Sequence, residues 1–220
     1  MSRVSTRFWC NYASVWSEML ALRPILLALL LPCVLAVTAC NAPRTNENEG
    51  FRNTVIDHAT FGRDFRLNDP QGRPRRLADF RGKVVVIFFG YTHCPDVCPT
   101  TLATMAEVMR QLGQDATRVQ VLFVTLDPAR DTRELLAAYV PQFHPDFVGL
   151  TGDAAAINAT AREFRIYHQQ RPGSSEGDYS IDHSTGSYLI DLHGRLRLWV
   201  KHGTTPEPIA ADIRRLLAGD

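Results

Sequence analysis

The feature that most constrains this chain is an apolar run followed closely by two cysteines. Val84 to Phe89 is continuously apolar and rich in β-branched residues, which is typical of a central strand buried on both faces. Cys94 and Cys98 follow after a short loop, and apolar residues then recur at helical spacing from Pro99 to Leu112. The sequence therefore predicts a strand, a loop that carries reactive groups, and a helix that begins at or beside the cysteines.

The segments around this unit predict strands that alternate with helices. Turn-forming residues at 68–72 follow the apolar residues Phe61, Phe65 and Leu67, which indicates an N-terminal β-hairpin. Further strands are expected at Val119 to Leu126, Phe147 to Leu150, Tyr188 to Asp191 and Leu196 to Lys201, and further helices at Asp131 to Tyr139, Ala154 to Phe164 and Pro206 to Leu217. Tyr167 to Ser180 contains Pro, Gly and Ser and is expected to be an exposed loop.

This order of elements predicts an α/β protein. Strands that alternate with helices favour parallel pairing through βαβ units. We expect a thioredoxin-like fold, with an N-terminal β-hairpin and a central, mostly parallel sheet flanked by helices. In that layout the cysteines lie at the N-terminus of the first helix.

The N-terminal region predicts an export signal and a tether. The apolar stretch Pro24 to Ala39 is too short and too often interrupted by proline to span a membrane comfortably. It ends in an apolar residue and two small residues followed by Cys40, which resembles the bacterial lipobox, where the cysteine is lipidated. We expect a leader over residues 1–39, a lipidated Cys40 with a flexible tether over 40–50, and the domain over 51–220. An uncleaved signal anchor is the alternative.

Either anchor places the domain at a membrane of the cell envelope, in the periplasm or another extracytoplasmic space. Trp9 and Trp16 are unusual in such a leader, so we expect translation to begin at Met19. The formal net charge is +1 and no basic run is present, which argues against a nucleic-acid partner.

Counting cysteines leaves a single pair in the domain. Cys10 and Cys33 are lost with the leader and Cys40 is lipidated, so only Cys94 and Cys98 remain as thiols. Two cysteines four apart on a helix lie on one face about 5–6 Å apart. That spacing suits either a Cys94–Cys98 disulfide or a shared metal ion, and two idle thiols would be unusual in an oxidising compartment.

The chemistry of the pair favours copper. A helix N-terminus makes a cysteine more acidic, and copper(I) prefers sulfur with imidazole as a third donor. His183 is the best candidate, because it precedes the predicted strand at Tyr188, in the loop that packs against the cysteine helix in thioredoxin-like folds. His93, beside Cys94, is the alternative third ligand or a group that tunes the basicity of the thiolate.

Three separated motifs resemble the Sco/SenC family of copper chaperones. They are the segment from Gly90 to Pro99, the segment from Phe123 to Asp131, and Asp182-His183-Ser184. The resemblance implies a membrane-tethered thioredoxin-like domain that binds one copper ion, as copper(I) and in some states copper(II), through Cys94, Cys98 and His183. Asp127 matches an acidic position of the family and is expected beside the ligands rather than among them.

The resemblance also implies partners. It implies delivery of copper to the dinuclear copper centre in subunit II of cytochrome c oxidase, or maintenance of the thiols of that centre. A copper donor protein and a thiol reductant would then act upstream.

Three other functions fit parts of the pattern. A thiol-disulfide oxidoreductase of the thioredoxin class usually has two residues between its cysteines, whereas this chain has three. A peroxiredoxin-like peroxidase needs Thr or Ser three residues before its reactive cysteine and Pro further upstream, where this chain has Tyr91 and Ile87. A purely structural disulfide leaves His183 unexplained.

Overall fold

The structure is a computed structural model that describes residues 50–175 and 177–220, and it places the central strand where the sequence predicts it. The strands are β1 (Thr54–Val55), β2 (Leu67–Asn68), β3 (Pro74–Arg75), β4 (Val84–Gly90), β5 (Val119–Thr125), β6 (Val148–Leu150), β7 (His168–Pro172), β8 (Tyr179–His183), β9 (Ser187–Ile190) and β10 (Leu196–Val200). The helices are α1 (Val97–Leu112), α2 (Arg133–Tyr139), α3 (Ala154–Glu163) and α4 (Pro206–Ala218). Short 3-10 helices lie at Leu77–Phe80, Gly113–Arg118 and Val140–Gln142.

Strand β4 lies in the middle of a six-stranded sheet with the order β1-β10-β9-β4-β5-β6. It pairs in parallel with β5 along its whole length, from Val84 opposite Val119 to Gly90 opposite Thr125. It pairs antiparallel with β9 on its other side. Strands β4, β5, β6 and β10 thus run in one direction, and β1 and β9 in the other. The predicted α/β architecture, with a mostly parallel central sheet between helices, is confirmed.

The two faces of β4 explain its uninterrupted apolar sequence. Val86 and Phe88 lie in one core together with α1 and α4. Ile87 and Phe89 point to the opposite face and lie in a second core that includes α3. Because successive side chains of a strand alternate between faces, a strand covered by helices on both sides needs apolar residues at every position.

Two hairpins lie outside the main sheet. Strands β2 and β3 form the predicted N-terminal hairpin, with Leu67 opposite Arg75. The segment Tyr167 to Ser180 is largely exposed, as predicted, but it is not a loop. Strands β7 and β8 pair there, from His168 opposite His183 to Pro172 opposite Tyr179. Strand β7 is polar on both faces, so it gives no alternating hydrophobic signal.

The predicted leader, the lipobox cysteine Cys40, the alternative start at Met19 and residues 41–49 of the tether lie outside the described residues. Within 50–175 and 177–220, the structure contains no helix with the length and apolar character needed to cross a membrane.

Candidate metal centre

Three side chains from distant parts of the chain meet at one end of the central sheet. One ligand atom each from Cys94, Cys98 and His183 lie within 4.8 Å of one another. The Sγ atom of Cys98 is 3.9 Å from Nε2 of His183. The structure therefore brings together the three predicted ligands in a set that could hold one metal ion.

The two cysteines occupy different local structures. Cys98 is the second residue of α1 and is fully buried, whereas Cys94 lies in the preceding loop and is half-buried. The interpretation that both cysteines lie on one helical face therefore needs correction. Neither cysteine forms a disulfide in this structure, and the Cys94–Cys98 disulfide remains a prediction for an oxidised form.

The electrostatic environment differs sharply between the two thiols. A hydrogen bond from the Cys98 thiol and the backbone amides of residues 96–98 lower the pKa of Cys94 from 9.0 to about 5, although partial burial opposes this shift. The hydrogen bond to Cys94 and burial raise the pKa of Cys98. At neutral pH the metal-free pair is thus one thiolate, on the more exposed sulfur, and one thiol.

His183 is oriented by its own neighbourhood. Its Nδ1 lies 2.8 Å from the backbone carbonyl oxygen of Ser184, which can only accept a hydrogen bond, so Nδ1 carries the proton. Nε2 is left with a free lone pair facing Cys98. The ring of Tyr91 stands edge-on to the imidazole, with the centroids 6.0 Å apart. His183 is the last residue of β8 and not part of a loop, which corrects the sequence-based interpretation.

The loop after β5 contacts both segments that carry the predicted ligands. The fully buried carboxylate of Asp131 accepts hydrogen bonds from the backbone N–H of Thr92 at 3.0 Å and from its hydroxyl at 2.5 Å. The Thr125 hydroxyl donates to the same carboxylate at 2.6 Å. In the same loop, Asp127 accepts a hydrogen bond at 2.8 Å from the hydroxyl of Tyr179 in β8. One loop therefore contacts both the cysteine loop and the strand that ends in His183.

Comparison with known proteins identifies the relatives of this site. The SCO1/SenC family profile matches residues 53–218. The chain belongs to the SCO1/SenC family. The mitochondrial SCO2 homolog of Bos taurus is 39% identical over 183 residues, which cover 82% of this chain and 69% of that protein.

Solved SCO1/SenC structures have the same fold. ScoI from Bradyrhizobium japonicum, solved with copper bound, is 41% identical, with a TM-score of 0.67 over 71% of this chain and 99% of that chain. A SCO1/SenC family lipoprotein from Bacillus anthracis is 28% identical, with a TM-score of 0.60 over 70% of this chain and 92% of that chain. These likenesses confirm the predicted thioredoxin-like α/β fold.

The other site residues predicted from the sequence lie near the three predicted ligands. His93 is half-exposed, and its Nδ1 lies 3.1 Å from the Thr92 hydroxyl and 3.9 Å from Oδ1 of Asp131, so the structure does not group it with the cysteines. Asp127 is buried and contacts β8, whose last residue is His183, without touching a predicted ligand. His168 is half-buried in β7 opposite His183.

Sequence reasoning missed three residues of this SCO1/SenC site. Asp131 and Arg130 lie within the second resemblance motif, so a signal for them was present, but their contacts are made across the fold. Tyr179 falls in the segment interpreted as a loop, where no pattern distinguished it.

Proposed function

We propose that this SCO1/SenC protein is a copper chaperone that carries one copper(I) ion bound by Cys94, Cys98 and His183. The observation that carries the proposal is the meeting of two sulfurs and an imidazole nitrogen within 4.8 Å. Two thiolates and a neutral imidazole suit the soft copper(I) ion, and the imidazole also makes the set acceptable to copper(II). The structure of Bradyrhizobium japonicum ScoI with copper bound supports copper as the metal.

The state of the ligands before binding suits a carrier that must also release its cargo. Cys94 is already a thiolate at neutral pH, because its pKa is about 5, and it is half-buried. Cys98 gives up its proton when copper binds, so copper uptake releases a proton and weakens as the pH falls. The half-buried positions of Cys94 and His183 leave an open side from which the ion passes to another protein.

The acceptor we propose is the dinuclear copper centre in subunit II of cytochrome c oxidase. Membership of the SCO1/SenC family and the likeness to the mitochondrial SCO2 homolog support this partner. Loading requires a copper donor protein, and keeping both sulfurs reduced in an oxidising compartment requires a thiol reductant.

A second candidate function, reduction of disulfides at the same copper centre, is favoured by the acidity of Cys94. The Cys94 thiolate attacks a partner disulfide and forms a mixed disulfide, which Cys98 then resolves. The products are a Cys94–Cys98 disulfide and two reduced thiols on the partner, so the electrons balance without another reagent.

We further propose that the domain is held at a membrane of the cell envelope through lipid on Cys40, after removal of residues 1–39. The lipobox pattern supports this tether, and a related SCO1/SenC protein of Bacillus anthracis is described as a lipoprotein. Cys40→Ser should abolish incorporation of labelled fatty acid and release the protein from the membrane fraction. Retention in the membrane without fatty acid would instead support an uncleaved anchor.

The decisive test is competition for copper(I) between the reduced full chain in detergent and a chromogenic chelator under anaerobic conditions. We expect one copper per chain in the wild type, weaker binding in His183→Ala, and loss of stoichiometric binding in Cys94→Ala and Cys98→Ala. His193→Ala, which removes an exposed imidazole in a turn, is the matched control and should bind like the wild type. Unchanged binding in His183→Ala would remove His183 from the ligand set.

Mixing experiments separate the two activities. Copper-loaded chain mixed with metal-free, reduced subunit II should lose copper to it, as measured by the metal content of the separated proteins. Metal-free, reduced chain mixed with disulfide-bonded subunit II should generate subunit II thiols if it acts as a reductase. Thiol transfer without metal transfer would favour the second candidate function.

A further inference from the structure

We propose that Arg130 is a positioning residue that clamps the β7–β8 hairpin and thereby holds His183 at bonding distance from copper. This inference rests on the copper-binding function proposed above. Arg130 lies in the loop after β5 and belongs to neither ligand-bearing segment. Its contacts nevertheless reach the strand that ends in His183.

The need for a clamp follows from the sheet topology. Within the described part of the chain, β7 and β8 pair only with each other, as a two-stranded sheet separate from the six-stranded one. The strand that carries His183 therefore has no hydrogen-bonded ladder to the central sheet, whereas Cys98 is fixed in α1. Apart from the short connection through residues 184–186 to β9, the position of His183 relative to the cysteines depends on contacts that the hairpin makes with other elements.

Arg130 makes those contacts at the far end of β8. Its Nη1 donates a hydrogen bond to the backbone carbonyl of Tyr179 at 3.0 Å, and its guanidinium carbon lies 3.5 Å from the centroid of the Tyr179 ring. Its Nε donates to Oδ2 of Asp127 at 2.5 Å. A planar guanidinium can donate along its edge and stack on its face at the same time.

Asp127 closes this arrangement into a ring of three residues. Its other oxygen, Oδ1, accepts the hydroxyl hydrogen of Tyr179 at 2.8 Å. The carboxylate is buried, with 3% of the residue exposed, so both of its oxygens depend on these protein partners. Tyr179 is thus held through its ring, its hydroxyl and its carbonyl at once.

The clamp reaches His183 by two routes. Tyr179 and His183 are the two ends of the five-residue strand β8, so fixing one end limits the movement of the other. The guanidinium also lies 5.9 Å from the centroid of the Tyr91 ring, and that ring stands edge-on to the imidazole of His183.

Two variants separate positioning from charge. Arg130→Lys keeps the positive charge but lacks the planar fork, so it cannot bond Asp127 and Tyr179 while stacking on the ring. Arg130→Gln removes the charge as well. The matched control is Arg171→Lys, because Arg171 bonds Asp182 at 2.8 Å on an exposed part of the same hairpin.

The experiment measures the copper(I) dissociation constant of each variant by anaerobic competition, in the wild-type and in the His183→Ala background. We expect Arg130→Lys and Arg130→Gln to weaken binding about tenfold in the wild-type background, the scale of lost support for a metal ligand. In the His183→Ala background the same two substitutions should change the dissociation constant less than about twofold, since no imidazole remains to be positioned. With copper(II) bound, the two Arg130 variants should show weaker nitrogen hyperfine coupling than the wild type in electron paramagnetic resonance spectra. Arg171→Lys should match the wild type in both measurements.

Each other outcome is decisive. Equal weakening in both backgrounds, or none in either, overturns the inference. Full affinity in Arg130→Lys with loss only in Arg130→Gln also overturns the inference, because the charge of residue 130 and not the geometry of its side chain would then determine copper affinity. If the wild-type chain binds copper normally, these results leave the proposed function intact; if it binds none, the proposed function itself fails and the inference fails with it.

Discussion

The backbone of Gly90 lies directly against the thiol of Cys98. A Cβ atom built on residue 90 would come within 2.5 Å of Cys98 Sγ, and its next neighbour, an atom of the Phe123 ring, would be 3.1 Å away. Gly90 has no need of glycine for its backbone conformation, because it is the last residue of β4 and its φ is not positive. Glycine stands here because the predicted metal ligand occupies the space of a side chain.

Gly90→Ala is therefore expected to disturb the metal site directly. Overpacking should destabilise the fold by about 1–3 kcal/mol and displace Cys98, which weakens copper(I) binding. Urea unfolding and chelator competition measure the two effects. Gly82→Ala is the control, because its positive φ of 85° also disfavours alanine but a Cβ there meets nothing within 4 Å. It should lose stability and keep its copper affinity.

The acidity of Cys94 should be visible in the pH dependence of alkylation. In the reduced, metal-free protein, Cys94 should react with iodoacetamide half-maximally near its pKa of about 5. Cys98→Ala removes the hydrogen-bond donor and should move this midpoint upward, toward the ordinary value of 9.0, whereas Cys98→Ser keeps a donor and should move it less. A midpoint in Cys98→Ala equal to that of the wild type would show that the backbone amides alone set the acidity.

The same shift has a consequence for stability. Because the folded-state pKa of Cys94 lies below 9.0, its ionisation stabilises the folded, reduced protein increasingly as the pH rises from 5 toward 9, and the gain is lost as the pH falls through about 5. The difference in free energy of unfolding between the wild type and Cys94→Ser should therefore grow over this range. A pH-independent difference would contradict the assignment of the thiolate to Cys94.

The buried carboxylate of Asp131 should contribute strongly to the stability of the fold. Asp131→Ala leaves the Thr92 backbone N–H and two threonine hydroxyls without their acceptor, which should cost about 3 kcal/mol. Asp131→Asn retains one acceptor oxygen and should cost less. Asp146→Ala, at an exposed position, should stay within about 0.5 kcal/mol of the wild type. Denaturant unfolding of the three variants tests this order, and a loss in Asp131→Ala no larger than in Asp146→Ala would disprove it.

Asp212 of α4 is a buried carboxylate that binds the first residues of the described domain, away from the predicted metal ligands. Its fully buried carboxylate accepts hydrogen bonds from the backbone amides of Arg52 and Asn53, at 2.8 and 2.9 Å, and from the Asn53 side chain at 2.8 Å. Asp212→Ala should destabilise the domain by about 2–3 kcal/mol and speed hydrogen exchange at residues 52 and 53. Copper affinity measured under folding conditions should not change, since no predicted ligand touches this contact. A loss of copper affinity in Asp212→Ala would contradict this expectation, because it would show that the contact influences the metal site.

The sequence by itself determined the central unit of the fold. Only a strand covered on both faces requires the continuous apolar run of β4, and only a helix explains the spacing of apolar residues in α1. The cysteine pair was predictable as a candidate site, because two cysteines at this spacing can bind one metal ion or form a disulfide. The meeting of His183 with the two cysteines was predictable from its place before β9.

Tertiary structure alone decided how the site is held. Strand β7 is polar on both faces and has no hydrophobic period, and the contact of its partner strand β8 with Arg130 joins residues that are distant in sequence. The sequence predicted Asp127 beside the ligands and Asp131 at the start of a helix, but only packing shows that they bond Tyr179 and Thr92. Local patterns record which face of an element is apolar, but a buried carboxylate is satisfied by donors from elsewhere in the fold. For that reason the three predicted ligands could be chosen from the sequence, whereas most of the contacts that hold them in place could not.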